Sequence, residues 1–347
     1  MNIVRTKFAK TTGIALVAAA LLSVPPVRAG AAEVGFSELR ITNGDQKPLV
    51  VGIWYPTATP AEAHPLGAYV QTVAPNAPVA GEHLPLVVMS HGNGGTYQNN
   101  YDTALALAKA GFVAIAVSHT GDTPEDQSRA MFVMDRSQHM RRLVDYMLSE
   151  WPDRARLDAN RVGVFGFSSG AFTALVSAGG VPDLSRTEAH FKAHPEYYDA
   201  QVAKRTGASP EAIATLRSKL PAATWVHDPR IKAAVVAAPA LGYTFGREGL
   251  KDIKIPIQLW RAGDDHILPH PDYAEAVRIA LPTPPEYHVV ENADHFDFLA
   301  PCTDQLRQVA PMICVSRPGF DRGAFHQTFN AEVVRFFKET LKAEAEH

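Results

Sequence analysis

The chain has 347 residues, 46% of them hydrophobic and 20% charged, enough apolar material for one large buried core, which excludes a disordered or fibrous protein. Its formal net charge of −3 supplies no excess of basic residues for a phosphate backbone, so nucleic acid is not an expected partner.

Arg5, Lys7 and Lys10 precede an uncharged apolar run from Gly13 to Val24, and small residues follow from Ala29 to Ala32. This three-part layout predicts a secretory signal peptide over 1–29 and export to the periplasm or the exterior. The run of about a dozen residues is short for a bilayer span, so a retained anchor is the weaker alternative and no stable membrane span is expected. Loss of the leader removes four basic residues and no acidic ones, shifting −3 to about −7 for the mature part, 30–347.

Beyond the leader, strand-like and helix-like segments alternate, which predicts an α/β domain with a mostly parallel central sheet flanked by helices. The segment ending at Trp54-Tyr55-Pro56 reads as an outer antiparallel strand stopped by its proline. Leu86 to Met89 is an apolar run of the kind buried on both faces, and it enters the glycine-rich loop Ser90-His91-Gly92-Asn93-Gly94-Gly95. A nucleotide-phosphate cradle is a poor reading of that loop, which lacks both the G-K-[ST] ending and the G-x-G-x-x-G spacing. A helix is predicted from Tyr101 to Ala110, stopped by Gly111, and a second strand from Val113 to Val117. Arg136 to Ser149 sets Met140, Leu143, Val144 and Met147 at helical spacing on one face.

Val162 to Phe165 is the third buried run, and it leads into Gly166-Phe167-Ser168-Ser169-Gly170 and then a small-residue helix start. The bare G-x-S-x-G pattern is weak evidence, but strand, sharp turn and helix together predict an exposed, activated Ser168. From Gly180 to Arg230 the alternation stops. A helical cap insertion over 181–230 is expected, opening a helix at Ser209-Pro210-Glu211, with a peripheral excursion as the alternative. Phe191, Tyr197, Tyr198 and Trp225 would either shape a pocket or hold such a cap down.

Ala233 to Ala237 and Ile257 to Trp260 are the last two apolar runs. The latter ends in Asp264-Asp265-His266-Ile267-Leu268-Pro269. A serine nucleophile needs a base, and the base needs an orienting acid. In chain order the acid is one of this doublet, with Asp265 preferred to Asp264, and the base is His295, in the loop after the predicted strand Glu286 to Val290. His288, inside that strand, is read as a packing or surface residue. The backbone N–H groups of Asn93 and Ser169 are the expected oxyanion donors. Cys302 and Cys314, the only cysteines, are expected to pair in an oxidising compartment, contributing about 3 kcal/mol, with two buried thiols as the alternative. A final helix is predicted from Phe325 to Leu341, with Phe329, Val333, Phe336 and Phe337 inward.

Trp54-Tyr55-Pro56, Ser90-His91-Gly92-Asn93-Gly94, Gly166-Phe167-Ser168-Ser169-Gly170 and His295-Phe296 resemble the dienelactone hydrolase-like branch of the α/β-hydrolases, and within it bacterial relatives of platelet-activating-factor acetylhydrolase. Asp228-Pro229-Arg230-Ile231-Lys232-Ala233 and the cysteine pair look like features of that bacterial group. The resemblance implies hydrolysis of a small-molecule ester or lactone through a Ser168-His295-Asp265 triad, with no metal or other cofactor. Dienelactone hydrolase itself carries cysteine where this chain has Ser168. Three rival readings stand beside it. An amidase could use the same triad. A metal-dependent hydrolase could use Asp264, Asp265, His266, His270 and Asp272, although Pro269 and Pro271 oppose the helix that an H-x-x-x-H site needs. A non-catalytic binding protein would usually show a damaged triad.

Overall fold

The computed structural model describes Met1, residues 33–195 and residues 225–342. Residues 1–30 and 31–347 form separate units, and the elements below belong to the second. The expected leader, the helix expected at Ser209-Pro210-Glu211, and Tyr197 and Tyr198 lie outside the described residues.

Ten strands occur among the described residues: β1 (Glu33–Asn43), β2 (Gln46–Thr57), β3 (Glu62–Leu66), β4 (Tyr69–Pro75), β5 (Leu84–Ser90), β6 (Val113–Ser118), β7 (Leu157–Phe167), β8 (Ile231–Ala237), β9 (Ile257–Ala262) and β10 (Glu286–Val290). They form one sheet in the order β10-β9-β8-β7-β5-β6-β2-β1-β4-β3. From β6 to β10 all neighbours are parallel. Alternate residues of the parallel strands supply two separate cores. Leu86, Val88, Ile115, Val164 and Val236 face one way with Met140, Leu143, Val144 and Met147 of α2 (Val133–Ser149) and Phe172 of α3 (Ser169–Ser177). Val87, Met89, Ala114, Phe165 and Val235 face the other way with Leu107 of α1 (Tyr101–Lys109) and with Phe329, Val333, Phe336 and Phe337 of the C-terminal helix Arg322–Thr340. Helices on both faces explain why these strands read as continuous apolar runs.

Two expectations change. The strand through Trp54 is not outermost: β2 lies between β6 and β1 and runs one residue past Pro56. Its ladder to β6 ends at Trp54, so the N–H that Pro56 lacks removes no bond to that strand. The hairpin β3-β4 and strand β1 extend the sheet where no strand was read, because they mix charged residues into their alternation. Within 181–230, one short helix, α4 (Arg186–Ala193), is described, and Trp225 packs edge-on against Phe172 with centroids 5.9 Å apart.

The order reverses at β5, whose neighbours are β6 and β7. Ligands of such sheets collect outside the carboxyl ends of the strands at that switch point. Ser90 is in register with Gly166, so the loop after β5 and the turn after β7 leave the sheet side by side.

Candidate active site

Ser168 sits between β7 and α3 with φ +55 and ψ −118, a positive-φ conformation that side-chain-bearing residues rarely adopt. The turn is tight enough that its glycines have no room for a Cβ: one on Gly166 would lie 2.1 Å from the Gly170 carbonyl oxygen, and one on Gly170 would lie 1.9 Å from that of Ser90. The strained residue is held by its backbone. Its N–H donates to the Ala237 carbonyl at the end of β8, and its carbonyl accepts from Ala171, Phe172 and Ala240.

Ser168 Oγ lies 3.0 Å from His295 Nε2, across 127 positions of sequence. His295 Nδ1 lies 2.8 Å from Asp265 Oδ2. A carboxylate only accepts, so the proton is on Nδ1, and Nε2 is left to accept from the hydroxyl. All three side chains are buried, Ser168 included, where an exposed serine was expected, because the Gly92 loop and His295 pack against it; the Phe167 ring covers the imidazole with centroids 4.9 Å apart. Of the acidic doublet, only Asp265 faces the imidazole. Its second oxygen accepts from the N–H groups of Ile267 and Leu268, while Asp264 is exposed and 3.7 Å from Arg317.

His295 opens a short 3-10 turn capped by Asp294, whose carboxylate accepts from the His295 N–H. Asp297 closes the capping box from the other end and also accepts from Arg322 Nε of the C-terminal helix. Cys302 and Cys314 form a disulfide, and Arg322 donates to the Ile313 carbonyl beside it. His295 is thus anchored to the last helix through polar contacts that motif reading did not pick out.

The loop after β5 lies against Ser168, since a Cβ on Gly92 would be 3.3 Å from Ser168 Cβ. Asn93 follows in this loop, and Ser169 is the first residue of α3. Beneath the loop lies a buried polar cluster that the sequence reading missed: Ser90, His91, His119, Asp122, Arg136 and His139. One available signal was Arg136, which stands four residues before Met140 on the inward face of its helix. A single tautomer set satisfies the histidines. Asn43 Nδ2 donates to His139 Nε2, His139 Nδ1 to His119 Nδ1, and His119 Nε2 to Ser90 Oγ.

These histidines are kept neutral. Burial, reinforced by the Arg136 charge, lowers His91 to about 3 and pushes His119 well below its ordinary value, and burial lowers His139 to about 4. In the unfolded chain each titrates near 6.5, so between about pH 6.5 and 4 the unfolded state binds more protons than the fold. The stabilisation is complete above pH 6.5 and declines on acidification by about 1.4 kcal/mol per pH unit for each proton. Calorimetry from pH 7 to 4.5 is expected to show a falling Tm, with a shallower fall in His139→Asn. Equal slopes would exclude His139 as a source.

His288 stacks on Trp260 at 4.0 Å and bonds to Glu286, a packing position. Two groups of described residues bring potential metal-ligand atoms within 4.8 Å of one another, His190 with His194 and Asp272, and Glu286 with His288 and Glu332. Neither contains Ser168, Asp265 or His295. Of the five residues considered for a metal loop, Asp265 faces His295, His266 pairs with Asp294, and Asp272 alone belongs to such a group. No helix among the described residues is long and apolar enough to cross a membrane.

The sequence profile of the Dienelactone hydrolase family matches residues 68–226, a span holding the β5 loop and Ser168 but not Asp265 or His295. No curated protein matches the chain in sequence. Among solved structures, a ferulic acid esterase from Streptomyces cinnamoneus superposes with a TM-score of 0.57 at 18% identity, over 93% of this chain and 94% of that one.

Proposed function

We propose that this chain, whose mostly parallel sheet has an α/β-hydrolase-type fold and whose residues 68–226 match the Dienelactone hydrolase family profile, is a serine hydrolase of carboxylic esters or lactones, working through an acyl-enzyme on Ser168. The observation that carries this reading is the run of contacts from Ser168 Oγ through the His295 ring to Asp265. His295 Nε2 takes the hydroxyl proton as Oγ attacks the substrate carbonyl carbon. The N–H groups of Asn93 and Ser169 receive the oxyanion, each donor contributing about 3 to 4 kcal/mol in serine hydrolases. The tetrahedral adduct collapses, the alkoxide leaves with the proton from His295, and water deprotonated by the same nitrogen then releases the acid. Asp265 stabilises the imidazolium throughout. No step calls for a metal or other cofactor.

The similarity to the Dienelactone hydrolase family profile and to a ferulic acid esterase supports an ester or lactone as substrate. The leader-like layout of residues 1–29 and the Cys302–Cys314 bridge support reading it as an exported enzyme of an oxidising compartment. The reading is tested by treating the protein with a fluorophosphonate and mapping the adduct by mass spectrometry, beside turnover of p-nitrophenyl esters of rising chain length, a lactone and an anilide. The expected result is one adduct, on the Ser168 peptide, and faster cleavage of an ester or lactone than of the anilide. An unlabelled Ser168 in folded protein rules the reading out.

A further inference from the structure

We propose that Arg136 and Asp122 are positioning residues that aim the Asn93 N–H at the oxyanion and strengthen it as a donor, an inference that rests on the serine-hydrolase reading above. Arg136 is 2% exposed, and its guanidinium is fully engaged. Nε and Nη2 donate to Asp122 Oδ2 at 2.9 and 2.7 Å. Nη1 donates to the His91 carbonyl at 2.7 Å and Nη2 to the Gly92 carbonyl at 3.1 Å. Asp122 Oδ1 accepts from the Gly94 N–H at 2.6 Å and from Asn93 Nδ2 at 2.9 Å. One ion pair therefore grips the loop on both sides of the Gly92–Asn93 peptide.

That peptide is trans, and in a planar trans peptide the carbonyl and the N–H point in opposite directions. The Gly92 carbonyl is fixed inward by Arg136, by His91 Nδ1 at 2.5 Å and by the Gly95 N–H at 3.2 Å. The Asn93 N–H is thereby turned away from Arg136, in a loop that lies against Ser168. A cation bonded to the carbonyl also polarises the amide, which makes its N–H a stronger donor. His91 takes part as a neutral ring: Nδ1 donates to Gly92, and Nε2 accepts from the His119 N–H at 3.0 Å. A buried ion pair is a weak source of net stability and a good means of fixing geometry.

The test compares wild type with Arg136→Lys, which keeps the charge but loses the fork, and Asp122→Asn, which keeps the shape. Four quantities are measured: kcat and KM on a p-nitrophenyl ester, Ki for an alkyl trifluoromethyl ketone whose hemiketal oxygen occupies the oxyanion position, Ki for an uncharged substrate-like amide, and Tm. Expected are a fall in kcat of about 10- to 100-fold with KM little changed, and a rise in the ketone Ki that matches the fall in kcat/KM, while the amide Ki stays put. Wild-type kcat in both variants, or ketone and amide weakened equally, overturns the proposal. An inactive wild type that no fluorophosphonate labels would remove the parent reading as well, whereas an active wild type with unaffected variants removes this inference alone.

Discussion

Ser168→Ala is expected to lower kcat on the best ester substrate by about 10⁴-fold or more, with a circular-dichroism spectrum and Tm close to wild type. Both halves follow from the geometry. Alanine keeps the Cβ, so the positive φ of position 168 is strained to the same degree in both proteins, and the backbone bonds that hold the turn are untouched. What is lost is one hydrogen bond to His295 Nε2, costing about 1 kcal/mol. The proposed nucleophile is lost entirely. Members of a triad act as a unit, so the residual rate would come only from binding and the oxyanion donors. Substantial activity in a variant preparation free of wild-type enzyme would exclude Ser168 as nucleophile.

The second large effect separates the two neighbouring carboxylates. In Asp265→Asn the side-chain oxygen is kept toward the Ile267 and Leu268 N–H groups, since both are donors. The amide NH₂ is then left facing His295 Nδ1. Two donors cannot share that contact, so the imidazole moves its proton to Nε2 and can no longer accept one from Ser168. A fall in kcat of about 10⁴-fold is expected, as for the same exchange in another Ser-His-Asp enzyme. Asp264→Asn alters an exposed group 3.7 Å from Arg317, and kcat should stay within about twofold, because such surface pairs contribute about 1 kcal/mol or less. A larger loss from Asp264→Asn than from Asp265→Asn would reverse the assignment.

The sequence by itself determined the parts whose signals are local. Five apolar runs marked β5 to β9 because strands covered on both faces carry no polar side to break the run. Glycine, serine and glycine between a strand and a helix marked the elbow, because only that spacing relieves a turn with no room for Cβ atoms. His295 stood out among fourteen histidines by following the last strand.

Where the signal was not local, tertiary structure decided. Both carboxylates of the 264–265 doublet follow β9, and the one that reaches His295 depends on how the backbone turns beyond the strand. Strands β1, β3 and β4 owe their pairing to partners and carry no buried-run pattern. The Arg136–Asp122 pair was the least legible of all: helical spacing puts Arg136 on the inward face with Met140, but nothing local names an aspartate fourteen positions away as its partner. Burial and direction belong to the folded chain, and only there do two side chains fourteen positions apart close on one loop.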